Sequence, residues 1–96
     1  MYGTIARLRV KPGMEARLHE FSRDAEARQP NGYMKTYVYR MDADPNEYYL
    51  VVLFDSRESY HANAADPEQN ASFGQLMELL ESEPEWHDGE VVYESR

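Results

Sequence analysis

The chain has 96 residues, no cysteine, and 18 acidic against 10 basic side chains, which gives a formal net charge of −8. This charge argues against nucleic acid or an anionic membrane as a partner, and the lack of cysteine excludes disulfides and thiolate metal sites. No apolar run approaches the ~18 residues of a membrane-spanning helix. We therefore expect a single domain over residues 1–96, with no membrane partner and a cytoplasmic location.

The first part of the chain predicts a strand, a helix and a second strand. Residues 2–10 alternate, and we expect Tyr2 and Thr4 to lie on the strand face that looks at the helices. From residue 14, apolar side chains recur every three or four positions, which predicts an amphipathic helix of about four turns. Residues 33–41 are rich in aromatic and β-branched side chains and predict the second strand.

Two further strands follow. A turn-forming stretch, residues 42–47, precedes residues 48–54, which are apolar at every position. A strand of this kind is typically covered on both faces, so we expect it to be central and to form a hairpin with the second strand. Residues 86–94 alternate more weakly and predict the last strand. Tyr33, Tyr37 and Tyr39 are expected to share one face, as a cavity wall or a dimer surface.

A broken helix is predicted between the last two strands. Asp55 and Glu58 match a capping box, so a short helix is expected to begin just after Asp55. Asp66 before Pro67 is a good helix cap and restarts the helix, which we expect Pro84 to end.

The order β-α-β-β-α-β predicts a ferredoxin-like α+β fold, with a four-stranded antiparallel sheet and the helices on one face. No element is left to cover the second face of strand 48–54, so we expect a second copy to cover it. The predicted assembly is a homodimer whose sheets pack face to face. In this arrangement Arg7 and Arg9 look toward the partner and are expected to pair with Glu90 or Glu94.

The sequence resembles the antibiotic biosynthesis monooxygenase-like family along essentially its whole length. The resemblance lies in "VKPG" after the first strand, an amphipathic helix, a tyrosine-bearing hairpin, and "LFDSRESYHANAADPEQNASF" at residues 53–73. It implies a dimeric α+β barrel. Members of this family include cofactor-independent monooxygenases of aromatic substrates, quinol oxygenases and haem-degrading enzymes, so the fold alone leaves several activities open.

The resemblance also bears on particular positions. In many relatives a large aromatic residue ends the third strand and a histidine follows nine residues later. Phe54 and Asn63 hold these positions here, and His61 lies two residues before Asn63. Haem-degrading relatives have an asparagine where Ala6 stands, a tryptophan where Asn63 stands, and a haem-binding histidine in the following helix, whereas residues 73–80 contain no histidine. The resemblance therefore implies oxygenation of aromatic compounds more than haem degradation.

The residues that suit cofactor-free oxygenation lie in the broken helix. The reaction needs an apolar cavity and a group that accepts a proton or stabilises an anion. At 3.6 residues per turn, Tyr60 and Asn63 share a helix face, and His61 is turned to the rim. We expect Asn63 to orient or stabilise the anion and His61 to act as the base, because histidine titrates near neutral pH. The alternative is a surface His61 and an Asn63 that ends the helix.

The sequence thus predicts a cofactor-independent monooxygenase of small aromatic, quinol or polyketide-like compounds. The alternatives are a non-catalytic binder of small aromatic ligands with the same fold and, more remotely, a haem-handling protein. No cofactor and no metal site is predicted. The predicted catalytic residues are His61 and Asn63, and the predicted substrate-binding residues are Tyr2, Thr4, Tyr60, Phe73, Met77 and Trp86. For Trp86, a packing role at a cavity edge or across the dimer is the competing reading.

Overall fold

The computed structural model describes residues 1–96 and contains four strands and three helices. In chain order they are β1 (Tyr2–Arg9), α1 (Glu15–Ala27), β2 (Tyr33–Arg40), β3 (Glu47–Phe54), α2 (Arg57–Ala64), α3 (Pro67–Glu78) and β4 (Glu85–Glu90). The strands form one antiparallel sheet in the order β2-β3-β1-β4. The predicted ferredoxin-like fold and the central position of β3 are confirmed. None of the three helices has the length and apolar character that a membrane span requires.

The core lies between the helices and the sheet, near the C-terminal end of β1. Every second residue of β1 points to the helices, as predicted, and this alternation buries Thr4, Ala6 and Leu8. The core consists of nine buried residues from the sheet, α1, α3 and the segment after α3: Ala6, Leu8, Val10, Leu18, Tyr48, Leu50, Leu76, Leu79 and Leu80. The opposite end of this layer, near Thr4, is left for the cavity described below.

The strand β2 contains a bulge that reverses its alternation. The pairing with β3 shifts register just after Tyr33, which leaves Met34 as the extra residue. Tyr33 therefore turns to the helix side, where its ring meets that of Phe54 at 5.8 Å. Tyr37 and Tyr39 lie on the other side and are largely exposed. The prediction that the three tyrosines share a face is wrong for Tyr33, because a bulge leaves no mark in the residue pattern.

The start of α2 is predicted correctly, but different residues cap it. The capping box joins Ser56 and Ser59, with the backbone N–H of Ser59 donating to Ser56 Oγ over 3.1 Å. Asp55 and Glu58 do not form the box. Asp55 instead accepts a hydrogen bond from Ser59 Oγ at 2.7 Å. The predicted cap of α3 is confirmed, since Asp66 accepts from a backbone N–H of the first turn at 2.8 Å.

The last two elements are shorter than predicted. The helix α3 ends six residues before Pro84, because the chain then turns so that Leu80 forms a bridge with Val10. The strand β4 ends at Glu90 and not at residue 94, and beyond it a single backbone hydrogen bond, from the N–H of Val91 to the carbonyl of Met1, continues the pairing.

The sheet surface turned away from the helices is called the open face below. Its centre is apolar, and charged side chains surround that centre. The side chains of the open face are Ile5, Arg7, Arg9, Lys35, Tyr37, Tyr39, Glu47, Tyr49, Val51, Leu53, Glu85 and His87.

The two arginines of the open face pair within their own chain. Arg7 Nε contacts Glu47 at 2.6 Å, and Arg7 Nη1 contacts Glu85 at 3.1 Å. Arg9 Nη1 contacts Asp44 at 2.7 Å. The hydrogen bond from Arg9 lowers the pKa of Asp44, so this carboxylate stays charged further into the acidic range.

These contacts correct the predicted partners of the arginines. Glu90 lies opposite Tyr2 on the helix side of the sheet, and Glu94 lies beyond the end of β4. Neither forms an ion pair with Arg7 or Arg9. Arg7 and Arg9 are thus neutralised by acidic residues from later in the same chain.

Candidate functional site

A cavity of about 240 Å³ lies between the helices and the sheet, next to the core. Its walls come from all four strands and all three helices, and most of the residues that line it are hydrophobic. Leu50 and Leu76 belong to both the core and the cavity wall. The size and the apolar lining suit a small, ring-shaped organic ligand.

Five of the eight predicted site residues line this cavity. They are Thr4, Tyr60, Asn63, Phe73 and Trp86. The rings of Phe73 and Trp86 stand 5.9 Å apart, and the two side chains are 37% and 41% exposed, so they form the edge at which the cavity meets solvent. The helix face shared by Tyr60 and Asn63 points inward, in agreement with the helical spacing.

The other three predicted residues do not line the cavity. Met77 is partly buried and packs against the core. Its neighbour on the helix, Leu76, lines the cavity at the place where Met77 was expected. The ring of Tyr2 packs on Tyr60 at 5.4 Å, behind the cavity wall. His61 is exposed, and its ring lies 5.4 Å from that of Tyr60 and outside the lining. Of the two predicted catalytic residues, the structure therefore brings only Asn63 to the cavity.

One corner of the cavity is polar, and Tyr60 is its centre. The Tyr60 hydroxyl donates to Asp88 Oδ1 at 2.9 Å, and Asp88 lies opposite Thr4 in the pairing of β1 with β4. Burial, and secondly this hydrogen bond to a carboxylate, raise the pKa of Tyr60 to about 12. Tyr60 is therefore a neutral phenol at physiological pH and does not serve as a base.

Thr4 completes the polar corner. Its hydroxyl oxygen is buried and has no hydrogen-bond partner of good geometry, although it is close enough to Tyr60 to oppose slightly the rise in the pKa of that residue. Buried hydroxyls in proteins are nearly always paired, so an unpaired one in a cavity wall is an exception that calls for an explanation.

Sequence reasoning missed Asp88 and the contribution of α1. Asp88 lies two residues after Trp86 on the same strand face, so the alternation that placed Trp86 was a signal for Asp88 too. Phe21 and Ala25 of α1 belong to the apolar stripe assigned to the core, and they line the cavity because the core does not extend to the end of the sheet.

No group of three or more acidic or histidine side chains is arranged to hold a metal ion. None of the three histidines lines the cavity. A haem placed there would find no histidine as its axial ligand, so the residues of the cavity do not fit a histidine-bound haem.

Comparisons with known proteins agree on the family of this chain. The family model described as antibiotic biosynthesis monooxygenase matches residues 1–75. No curated protein sequence matches the chain.

Solved structures share the fold at low sequence identity. Two are each described as a "putative antibiotic biosynthesis monooxygenase". The one from Deinococcus radiodurans has a TM-score of 0.80 and 18% identity, and the match covers 100% of this chain and 97% of that one. The one from Bordetella bronchiseptica has a TM-score of 0.80 and 20% identity, over 96% and 97% of the two chains. A conserved protein from Methanosarcina mazei gives a TM-score of 0.78 and 18% identity, over 92% and 89%.

Proposed function

Because the chain belongs to the antibiotic biosynthesis monooxygenase family, we propose that its cavity binds a small aromatic, quinol or polyketide-like compound and oxygenates it without a cofactor. The observation that carries this proposal is the cavity itself. It is an apolar chamber with a single polar corner, at the end of the sheet that the core does not fill.

The proposed chemistry requires little from the protein. An electron-rich ring that loses a proton becomes an anion able to pass an electron to oxygen. For an anthrone-like CH₂ group, one oxygen atom ends on the ring carbon as a carbonyl, and the other leaves as water with the two hydrogens. The apolar walls keep bulk water away from the anion. We propose that Asn63 stabilises the anion by donating from its amide, and that His61 receives the proton at the rim.

We also propose that two copies associate through the open face. Ile5 and Tyr37 are each 50% exposed and Tyr39 is 62% exposed, which is unusual for large apolar side chains on one face of a sheet. Val51 and Leu53 continue the same surface along β3. A face-to-face pair would cover this apolar centre and leave both cavities on the outer sides of the two sheets.

Oxygen uptake by the metal-free protein, with anthrone and with a naphthohydroquinone, tests the proposed activity. We expect uptake above the rate without protein, and a fall of roughly 10- to 100-fold in Asn63→Ala, because the anion loses its hydrogen-bond donor. A fall in His61→Ala would support its role as proton acceptor. Glu58→Gln is the matched control, since Glu58 is exposed on the same helix and does not line the cavity.

A non-catalytic ligand-binding role is the second candidate. The observation that favours it is the position of His61, the one predicted base, outside the cavity lining. If calorimetry shows that the same compounds bind and no oxygen uptake is observed with any of them, the protein is a ligand-binding protein and the proposed monooxygenase activity is rejected. Uptake that is equal in the wild type and in both variants would keep the oxygenase but remove Asn63 and His61 from its mechanism.

A further inference from the structure

The polar corner of the cavity contains a hydroxyl that the protein itself does not use. Thr4 is only 3% exposed, and its Oγ1 has no hydrogen-bond partner. The residue is held rigidly, because β1 pairs with β3 on one side and with β4 on the other. A threonine hydroxyl offers one donor and two acceptor sites. Thr4 lines the cavity, so it is a fixed polar group in the wall, and its hydroxyl lies near that of Tyr60 without a hydrogen bond of good geometry.

The neighbouring Tyr60 hydroxyl has its direction set by Asp88. Its proton points to Asp88 Oδ1 over 2.9 Å, so the lone pairs of the oxygen are left for another partner. A carboxylate accepts but does not donate, which means that Tyr60 cannot turn its proton toward the cavity without losing a charge-assisted hydrogen bond. Tyr60 lines the cavity, and its hydroxyl thus offers only an acceptor to any further partner.

We propose that Thr4 and the Tyr60–Asp88 pair form a recognition site for a hydroxyl group on the ring of the ligand. The ligand hydroxyl donates to Tyr60 Oη and accepts from Thr4 Oγ1. This inference rests on the proposed function in one respect, that the ligand is a small aromatic compound, and it does not depend on turnover. Asp88 is a positioning residue, because it acts on the ligand only through Tyr60.

The arrangement distinguishes a hydroxyl from the groups that resemble it. A ring hydroxyl both donates and accepts, so it satisfies Tyr60 and Thr4 together. A methyl ether or a ring carbonyl only accepts, so it pairs with Thr4 and leaves the acceptor on Tyr60 without a donor. The cost of an unmatched buried polar group is what gives such sites their selectivity.

Calorimetry with 1-naphthol and with its methyl ether, 1-methoxynaphthalene, tests the recognition of the hydroxyl. The measurement is made without oxygen, so that no turnover occurs. We expect the wild type to bind the naphthol roughly three- to tenfold more tightly than the ether. Tyr60→Phe removes the acceptor that only the naphthol satisfies, so it should reduce this ratio toward one. Thr4→Val, which keeps the shape of the side chain, removes the donor that both probes use, so it should weaken the binding of both and leave the ratio unchanged. The two variants change different quantities, so the test stays decisive if one of them fails to fold.

The role of Asp88 is tested by two substitutions that differ only in what they offer Tyr60. Asp88→Asn keeps an acceptor oxygen, so Tyr60 stays turned away from the cavity and the naphthol-to-ether ratio should be preserved. Asp88→Ala removes the acceptor, so the Tyr60 proton is free to donate to the ether oxygen, and the ratio should fall toward one. Glu90→Gln is the control, since Glu90 lies two residues further along the same strand face and makes no contact with Tyr60.

The outcomes separate this inference from the proposed function. Equal binding of the two probes by the wild type, or binding of neither, would overturn the hydroxyl site, whether or not oxygen uptake is observed. A ratio that falls equally in Asp88→Asn and Asp88→Ala would overturn the positioning role of Asp88. A clear preference for the naphthol with no oxygen uptake from any substrate would sustain the hydroxyl site and reject the oxygenase.

Discussion

Tyr60 contributes both to the packing of the cavity wall and to its polar corner. Its ring packs edge-on against Tyr2 at 5.4 Å and against Phe54 at 5.8 Å, and its hydroxyl is bound to Asp88. The ring therefore serves as wall, and the hydroxyl serves as the polar corner of the cavity. Tyrosine suits both tasks because it joins a large apolar body to a polar tip.

The raised pKa of Tyr60 predicts a pH dependence of stability. In the unfolded chain a tyrosine ionises near pH 10, but in the fold Tyr60 keeps its proton until about pH 12. The folded protein thus holds more protons in this range, so the stabilisation present below pH 10 is lost as the pH rises to about 12. The free energy of unfolding should fall more steeply in the wild type than in Tyr60→Phe, by on the order of 1–2 kcal/mol after allowance for solvent screening.

Denaturant unfolding at a series of alkaline pH values measures this difference. Asp88→Ala removes the second cause of the raised pKa, the hydrogen bond, but not the burial, so its curve should lie between those of the wild type and Tyr60→Phe. Parallel curves for the wild type and Tyr60→Phe would contradict the predicted shift.

The cavity wall could be predicted from sequence where a strong periodicity fixed the face of an element. The spacing on α2 placed Tyr60 and Asn63 together, and the alternation of β1 placed Thr4. The prediction missed Asp88 and chose Met77 in place of Leu76, for different reasons. Alternation puts Asp88 on the strand face of Trp86, but an acidic side chain on an exposed edge strand is typical of a solvated surface, so it was not assigned to the site. Met77 lies beside Leu76 on an apolar stripe, and the stripe does not say where core ends and cavity begins.

The short helix α2 depends on the turn that precedes β2. Gly32 has a φ of 82°, in the left-handed region. Its carbonyl accepts a hydrogen bond from the backbone N–H of Asp55 at 2.8 Å, so the turn lies directly against the start of α2. A Cβ at this glycine would lie 2.5 Å from Ser59, a member of the capping box. One glycine thus fixes a turn and the beginning of the helix that carries Tyr60.

Two glycine substitutions separate backbone strain from crowding. Gly13→Ala places a Cβ in open space at a φ of 81°, so we expect only the conformational cost, about 1–2 kcal/mol. Gly32→Ala meets the same cost and also displaces Ser59, so we expect a larger loss, roughly 2–4 kcal/mol. Urea unfolding of the two variants measures the difference. Equal losses would show that the turn moves freely away from α2.

The elements themselves could be predicted far better than their ends. All four strands and the broken helix follow from the residue pattern and from the cap predicted at Asp66, although the first part of the broken helix was predicted from the wrong pair of capping residues. The bulge at Met34 and the early end of α3 could not be predicted, because both are set by pairing with distant segments. Tertiary contacts of this kind leave no local trace in the sequence.

The two faces of the sheet are used differently by the whole molecule. The helix side holds the core and the cavity, and the open face holds exposed apolar side chains surrounded by charges already paired within the chain. Because Arg7 and Arg9 have partners of their own, a second copy that covers this face need not supply counter-charges for them. Such a surface favours association driven by apolar burial.

A charge placed at the centre of the open face should separate the proposed pair. Val51→Asp would bury a carboxylate without a partner in the interface, so we expect sedimentation velocity to show one chain where the wild type shows two. Ala71→Asp adds the same charge on the exposed side of α3, away from the open face, and should leave the pair intact. A wild type that sediments as one chain, or a Val51→Asp variant that stays paired, would reject this interface.

The position of Trp86 gives the protein an optical property of its own. It is the only tryptophan in the chain, and it stands beside Phe73 at the edge of the cavity, partly in water. Indole emission shifts to shorter wavelength when water is displaced. The binding of a ligand that enters past Trp86 can therefore be followed by the emission wavelength, without any label. The eight tyrosines of the chain add to this signal by transferring their excitation to the single indole acceptor. All tryptophan fluorescence of this protein therefore originates at the edge of the cavity.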